Sequence, residues 1–261
     1  MMTGIRKDAS VSVKPGTELR PFWDKLFNFN WVFGLVLIFS ICIPRFISVL
    51  NANKTGNYNM IAFIMIISAI TPFLFLSKYG REKIGMVKPS HNKWMIGSFV
   101  AGALAGTTIF VLGYTLYSDT YNNWFVYIGQ SYKISSGLSE HERLIYFLIY
   151  AVSGMTFSPI GEELFFRGIV HASFAKRVGD KKASIIDSLA FALIHLSHFG
   201  IVYVSGAWKF LLIPSILWVL AMFITGRIFF QCKKQTGSIW GSILSHAGFN
   251  LAMIYFIFFV L

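Results

Sequence analysis

A chain of 261 residues that is 55% hydrophobic, 17% aromatic and only 13% charged lacks the surface of a water-soluble domain, which carries about 25% charged residues. Its net charge of +12 does not point to nucleic acid, because the lysines and arginines stand in short clusters between long apolar runs, the way membrane topology is written. The length suits one domain, and no composition change marks a second module.

Taken in order, residues 1–30 form a polar tail with Arg6, Lys7, Lys14, Pro15 and Arg20. It is expected to be flexible until Phe22, Trp23, Phe27 and Phe29 bring it to the membrane interface. No cleaved signal peptide is expected, since the first apolar run starts only near Trp31 and exceeds a signal-peptide core in length. Residues 31–261 read as a single transmembrane domain. Seven stretches can cross a bilayer as helices, at about 31–50, 60–77, 94–117, 144–171, 183–206, 210–230 and 237–261. The fourth should kink or restart at Ser158-Pro159, where proline removes a backbone donor. Between the third and fourth, Ser118 to Arg143 carries Trp124, Phe125 and Tyr127, the composition of a short interfacial helix. The expected fold is an all-α, polytopic membrane helical bundle of seven helices, or eight with the interfacial one.

With the N-terminus in the cytoplasm, 17 of the 23 lysines and arginines fall in inside segments. Only Lys54, Lys133, Arg143 and Lys209 fall outside, and Arg45 and Arg167 lie within spans. This asymmetry is the positive-inside signal, and it places the C-terminus outside. Cys42 and Cys232 form no CxxC pair and no zinc-ligand spacing. Cys232, beside Lys233 and Lys234, is a small apolar residue at a helix end, with palmitoylation as the alternative reading.

Charged groups at helix centres cost roughly 2.5–3.5 kcal/mol each, yet spans four, five and seven carry Glu162, Glu163, Arg167, Asp187, His195, His198, His246 and Asn250. Glu162 stands 15 residues before Arg177, His195 13 after Lys182 and His246 12 after Lys234. At about 1.5 Å per residue these separations become depths of roughly 22, 20 and 18 Å, which is one level. Glu163 and Arg167 are i, i+4, suited to an ion pair. Phe191 and His195 share a helix face in the same way, as do His246 and Asn250. Adjacent Glu162 and Glu163 are about 100° apart around the helix, so one can face a cavity while the other pairs with Arg167.

Glu162-Glu163-Leu164-Phe165-Phe166-Arg167, then Phe191 to His195, then His246 to Asn250 follow the pattern EExxxR, FxxxH and HxxxN. Together with Gly168 and Gly237-Ser238-Ile239-Trp240, they make residues 144–261 resemble the CPBP family of membrane endopeptidases. This family, also called Abi or CAAX-protease-like, includes the Ras-converting CAAX endoprotease. The resemblance implies that Glu162 is the general base, activating water together with His195. His246 and Asn250 would donate to the oxyanion, which an Asn and one nitrogen of a neutral His can do. Glu163 and Arg167 would hold the helix that presents Glu162, and Phe191 would pack the cavity wall. Asp187 is expected to tune or solvate the cavity, and His171 and His198 to be structural.

The family has also been described as metalloproteases, and Glu162, His195 and His246 could form a His₂Glu zinc site with an open fourth position. The lack of HExxH favours a metal-free, glutamate-activated water with no cofactor. Expected partners are the lipid bilayer and a membrane-associated peptide or protein C-terminal tail, with no nucleic acid. Whether that substrate is prenylated is not written in the sequence. The expected location is the cell membrane of a bacterium, N-terminus inside, with the cavity facing the cytoplasm. The alternative reading is a non-enzymatic membrane scaffold, or a bacteriocin-immunity or signalling factor, on the same fold. A proton-relay transporter would call for an inverted repeat, and none is visible in the first 140 residues.

Overall fold

The computed structural model describes residues 17–134 and 137–261; Arg6, Lys7, Lys14 and Pro15 of the tail lie outside the described residues. The chain forms α1 (Pro21–Asp24), α2 (Trp31–Thr55), α3 (Asn59–Phe75), α4 (Lys78–Lys83), α5 (Lys93–Tyr117), α6 (Trp124–Ser131) and α7 (Glu140–Glu163). A π-helical turn (Leu164–Val170) leads into α8 (His171–Ile194). A hairpin of β1 (Ile201–Val204) and β2 (Ala207–Phe210) follows, then α9 (Leu212–Thr236) and α10 (Ile239–Phe259).

Local chemistry sets the ends of the long helices. Asn30 caps α2 by accepting from the Val32 and Phe33 amides, and Ser139 with Glu142 closes a capping box on α7, satisfying donors that a helix start leaves free. Gly56 and Gly237 end α2 and α9 in the left-handed conformation that glycine adopts at little cost. From Thr17 onward the tail is docked rather than free. Leu19 is fully buried and bridges Leu76, and the Trp23 indole donates to the Leu74 carbonyl at 2.9 Å.

Five helical stretches are long and apolar enough to cross a membrane: Trp31–Thr55, Lys93–Tyr117, Glu140–Ser197, Leu212–Thr236 and Ile239–Phe259. Asn59–Phe75 is apolar but 17 residues long. The 58-residue stretch Glu140–Ser197 contains two of the spans expected from sequence, divided at Gly179, whose φ of 77° breaks helical geometry inside α8. α10 lies at the centre, packed on α5, α7 and α9; Phe256 on it stacks on Phe110 of α5 with ring centroids 3.9 Å apart.

Three expectations change. The helix does not restart at Ser158-Pro159 but runs through Pro159 to Glu163, and a π-helix follows one turn later. The span expected at 183–206 stops being α-helical at Ile194, and Ile201–Phe210 forms an antiparallel hairpin with Val202 opposite Lys209. Its turn, Ser205-Gly206, has positive φ at both positions, as a tight hairpin turn demands. The run Ile-Val-Tyr-Val is short and β-branched, and periodicity alone does not separate such a run from a helix end. Finally, α6, expected as an interfacial helix, packs its aromatics into the bundle: Trp124, Phe125 and Tyr127 are all buried and the Trp124 indole donates to the Ile109 carbonyl at 3.1 Å. The fold is nearly all-α, with 78% of the described residues helical.

Candidate active site

The last turn of α7 gives its two glutamates opposite surroundings. Glu162 lines a cavity. Its Oε1 accepts from Arg45 Nη2 of α2 at 2.8 Å and from the Ser158 hydroxyl one turn earlier. Its Oε2 lies 3.9 Å from His195 Nε2, too far for a direct hydrogen bond and close enough for both to hold one water. Glu163 is fully buried away from the cavity and accepts from Arg167 Nη1 at 3.2 Å and His246 Nδ1 at 2.9 Å.

Those partners fix the imidazole tautomers. His195 Nδ1 is 2.6 Å from the Phe191 carbonyl, which can only accept, so the proton of a neutral ring is on Nδ1 and Nε2 faces Glu162 as an acceptor. His246 Nδ1 likewise donates to Glu163. A neutral His246 has therefore spent its one N–H, and it donates to an oxyanion only when protonated, which qualifies the role expected from sequence. Asn250 Nδ2 donates to the Gly154 carbonyl at 2.8 Å and keeps a second N–H. Aromatic rings hold the imidazoles in place. Phe191 packs on His195 at 4.4 Å between centroids, while Phe229 stacks on His246 at 4.7 Å and Phe191 meets it edge-on at 5.8 Å.

Arg167 is wholly buried and would be costly alone. Besides Glu163 it has Asp187 Oδ1 3.6 Å from Nε, and its guanidinium lies 4.2 Å from the Phe191 ring centroid and 5.5 Å from that of Phe229, a cation–π arrangement. A Cβ on Gly226 would approach Arg167 Nη2 to 2.5 Å, so only glycine leaves room there. The widened turn leaves the Arg167 carbonyl to accept from Lys233 Nζ at 2.6 Å; such π turns recur at functional sites. Asp187 does not line the cavity, contrary to expectation. It is bonded to His171 Nδ1 at 2.7 Å, and His171 Nε2 reaches exposed Asp180 at 2.9 Å, so Asp187 serves Arg167 and His171. His198, expected to be structural, lines the cavity with its ring stacked on His195 at 5.3 Å.

The cavity holds about 300 Å³, at the lower end for a ligand site. Gly161 lets α7 meet the α3 backbone closely: a Cβ there would lie 2.6 Å from the Met65 carbonyl oxygen. Beyond this contact the cavity runs between α3 and α7, past exposed Ala62, Ser153 and Phe157, to Tyr58, Tyr132 and Tyr150. Burial pushes the Tyr58 phenol up to about 12, keeping it a neutral donor. Ala62 is on α3, which Tyr58 precedes, Tyr150, Ser153 and Phe157 are on α7 and Tyr132 ends α6, and the basic segments 78–93, 176–182 and 227–234 supply none of the lining of this cavity. A second cavity, sharing Met65 and Phe157 with the first, is lined by Met86, Val87, Lys88 and Pro89 of the basic segment.

Among the described residues, no three His, Cys, Asp or Glu side chains converge as a metal-binding group. A zinc at Glu162, His195 and His246 would share its carboxylate with a cation. The Arg45 guanidinium already neutralises Glu162 and would repel a dication sharing that carboxylate. Arg45 is the site residue that sequence reasoning missed, although a lone arginine in the middle of an apolar span is itself a signal. Both cysteines are free, and Cys232 is buried, which does not suit acylation.

Residues 144–252 match the family model described as Rce1-like, Type II CAAX prenyl endopeptidase. No curated protein and no solved structure matches the chain. The matched segment contains Glu162, Glu163, Arg167, Phe191, His195, His246 and Asn250, and excludes Arg45. Its apolar helices place the protein in the membrane, and its residues 144–252 are similar to the Rce1-like, CAAX-protease-like family of membrane proteases.

Proposed function

We propose that this protein is an intramembrane endopeptidase that hydrolyses membrane-associated peptides or protein C-termini with water activated by Glu162 and His195. The supporting observation is the pair of acceptors, Glu162 Oε2 and His195 Nε2, 3.9 Å apart at a cavity wall. A water between them donates one proton to each, leaving its lone pairs free for attack. As the water's oxygen bonds to the peptide carbonyl carbon, its proton passes to the Glu162–His195 pair. The free N–H of Asn250 donates to the oxyanion. Collapse breaks the C–N bond, and the transferred proton goes to the leaving amine. Glu163, Arg167 and Phe191 hold the helix and rings in register. No metal is required by this scheme, and the Arg45 contact to Glu162 supports that preference.

The chain crosses the membrane seven times in this reading, with Asn59–Phe75 as a short span and the two arms of Glu140–Ser197 as separate ones. The basic segments lie in the cytoplasm by the positive-inside rule. The end of the cavity at Tyr58, Tyr132 and Tyr150 then faces the other leaflet.

The test is cleavage of a membrane-tethered peptide library by the purified protein in liposomes, with Glu162→Gln and His195→Ala compared at equal folded protein. Product from wild type and none from either variant is the expected result. Equal product from all three would overturn the reading.

A further inference from the structure

We propose that Arg45 is a positioning residue for the catalytic carboxylate: with Ser158 it holds Oε1 of Glu162 and so leaves Oε2 as the oxygen that works on water. This deepens the proposed function and rests on it.

Arg45 lies in α2, a helix outside the matched segment, and is only 3% exposed. An arginine and a glutamate buried in a membrane are each costly alone, and each makes the other tolerable. An ion pair serving charge balance alone would favour two parallel hydrogen bonds from guanidinium to carboxylate. Here the bonding is one-sided. Arg45 Nη2 and the Ser158 hydroxyl both meet Oε1, while Arg45 Nε and Glu162 Oε2 have no protein partner.

The two anchors come from different directions, Ser158 from one turn down the same helix and Arg45 from across the bundle. A carboxylate held this way resists the rotation that would exchange its oxygens, so Oε2 stays toward His195 Nε2. The same helix steadies the other partner, since Asn53 Nδ2 of α2 donates at 2.7 Å to the Ser197 carbonyl, in the turn that begins at His195. α2 thus holds both halves of the water-activating pair, which explains a charged residue in its middle.

The experiment uses the full-length protein in detergent with a tethered peptide that wild type cleaves. It follows kcat, KM and thermal unfolding for Arg45→Gln, Arg45→Lys, Ser158→Ala, Glu162→Gln and Arg45→Gln/Glu162→Gln. Misplacing a reacting group by an ångström costs about 100-fold, so Arg45→Gln should lose about that in kcat with KM within about twofold, and Arg45→Lys should recover part of it. The double variant should unfold at higher temperature than Arg45→Gln, because it leaves no unpaired charge. Folded Arg45→Gln with wild-type kcat, or a loss through KM alone, overturns the proposal while an inactive Glu162→Gln upholds the glutamate mechanism. A fully active Glu162→Gln overturns both. If Arg45→Gln does not fold, Ser158→Ala carries the same test without unpairing a charge: a kcat about tenfold lower at unchanged KM supports the clamp, and an unchanged kcat overturns it.

Discussion

His246 Nδ1 sits 2.9 Å from Oε1 of Glu163, so the glutamate sealed away from the cavity decides which nitrogen of the His246 ring reaches it. One carboxylate of the adjacent pair faces the cavity, and its neighbour orients His246 while neutralising Arg167. Removing Glu163 should therefore damage stability and activity together. Glu163→Gln leaves Arg167 short of charge compensation, and breaking a buried pair from one side costs about 3–5 kcal/mol. Thermal unfolding in detergent checks this; a transition within a degree of wild type would mean that Asp187 and the aromatic rings suffice for Arg167.

Asn250 has one N–H on Gly154 and one to spare, which makes it the neutral donor to the oxyanion in the proposed mechanism. Asn250→Ala should lower kcat by about 10²–10³, as loss of one such donor does. Its effect on stability should be only about 1 kcal/mol, the worth of one hydrogen bond. Steady-state kinetics set beside the unfolding curve separates the two, and an Asn250→Ala enzyme with undiminished kcat would assign the oxyanion to another donor.

Gly226→Ala tests the packing around Arg167. The new methyl would meet Arg167 Nη2 at 2.5 Å and the Ser188 Cβ at 3.1 Å, and overpacking of this kind costs about 1–3 kcal/mol. A lowered unfolding temperature with weakened activity is expected. Unchanged values would mean that the guanidinium shifts freely, against its place between Phe191 and Phe229.

The sidedness of the cavity is open to labelling. In a chain carrying Cys42→Ala and Cys232→Ala, Asn57→Cys reports the connection beside Tyr58 and Lys83→Cys reports a basic segment; both native side chains are exposed. A membrane-impermeant maleimide added to intact cells should label Asn57→Cys and spare Lys83→Cys. The reverse pattern would turn the protein over and put the Tyr58 end of the cavity toward the cytoplasm.

Sequence legibility followed the range of each interaction. The long helices and the separate duties of Glu162 and Glu163 came from periodicity and the 100° step between neighbours, both local properties. The Arg45–Glu162 contact joins residues 117 positions apart, and no spacing rule links a first-span arginine to a fourth-span glutamate. The hairpin at Ile201–Phe210 was hidden because a four-residue apolar strand beside a helix end reads as more helix. Asp187 looked like a cavity residue because it lies two turns from His195, yet the 3₁₀ turn at His195–Ser197 and the partners His171 and Arg167 direct it elsewhere.

The most direct test of the central claim is mass-spectrometric detection of tethered-peptide cleavage by purified wild type and Glu162→Gln, each with and without a strong chelator. The account predicts the same product from wild type in both conditions and none from Glu162→Gln in either. Product from Glu162→Gln, or wild-type cleavage lost on chelation and restored by zinc, would contradict it.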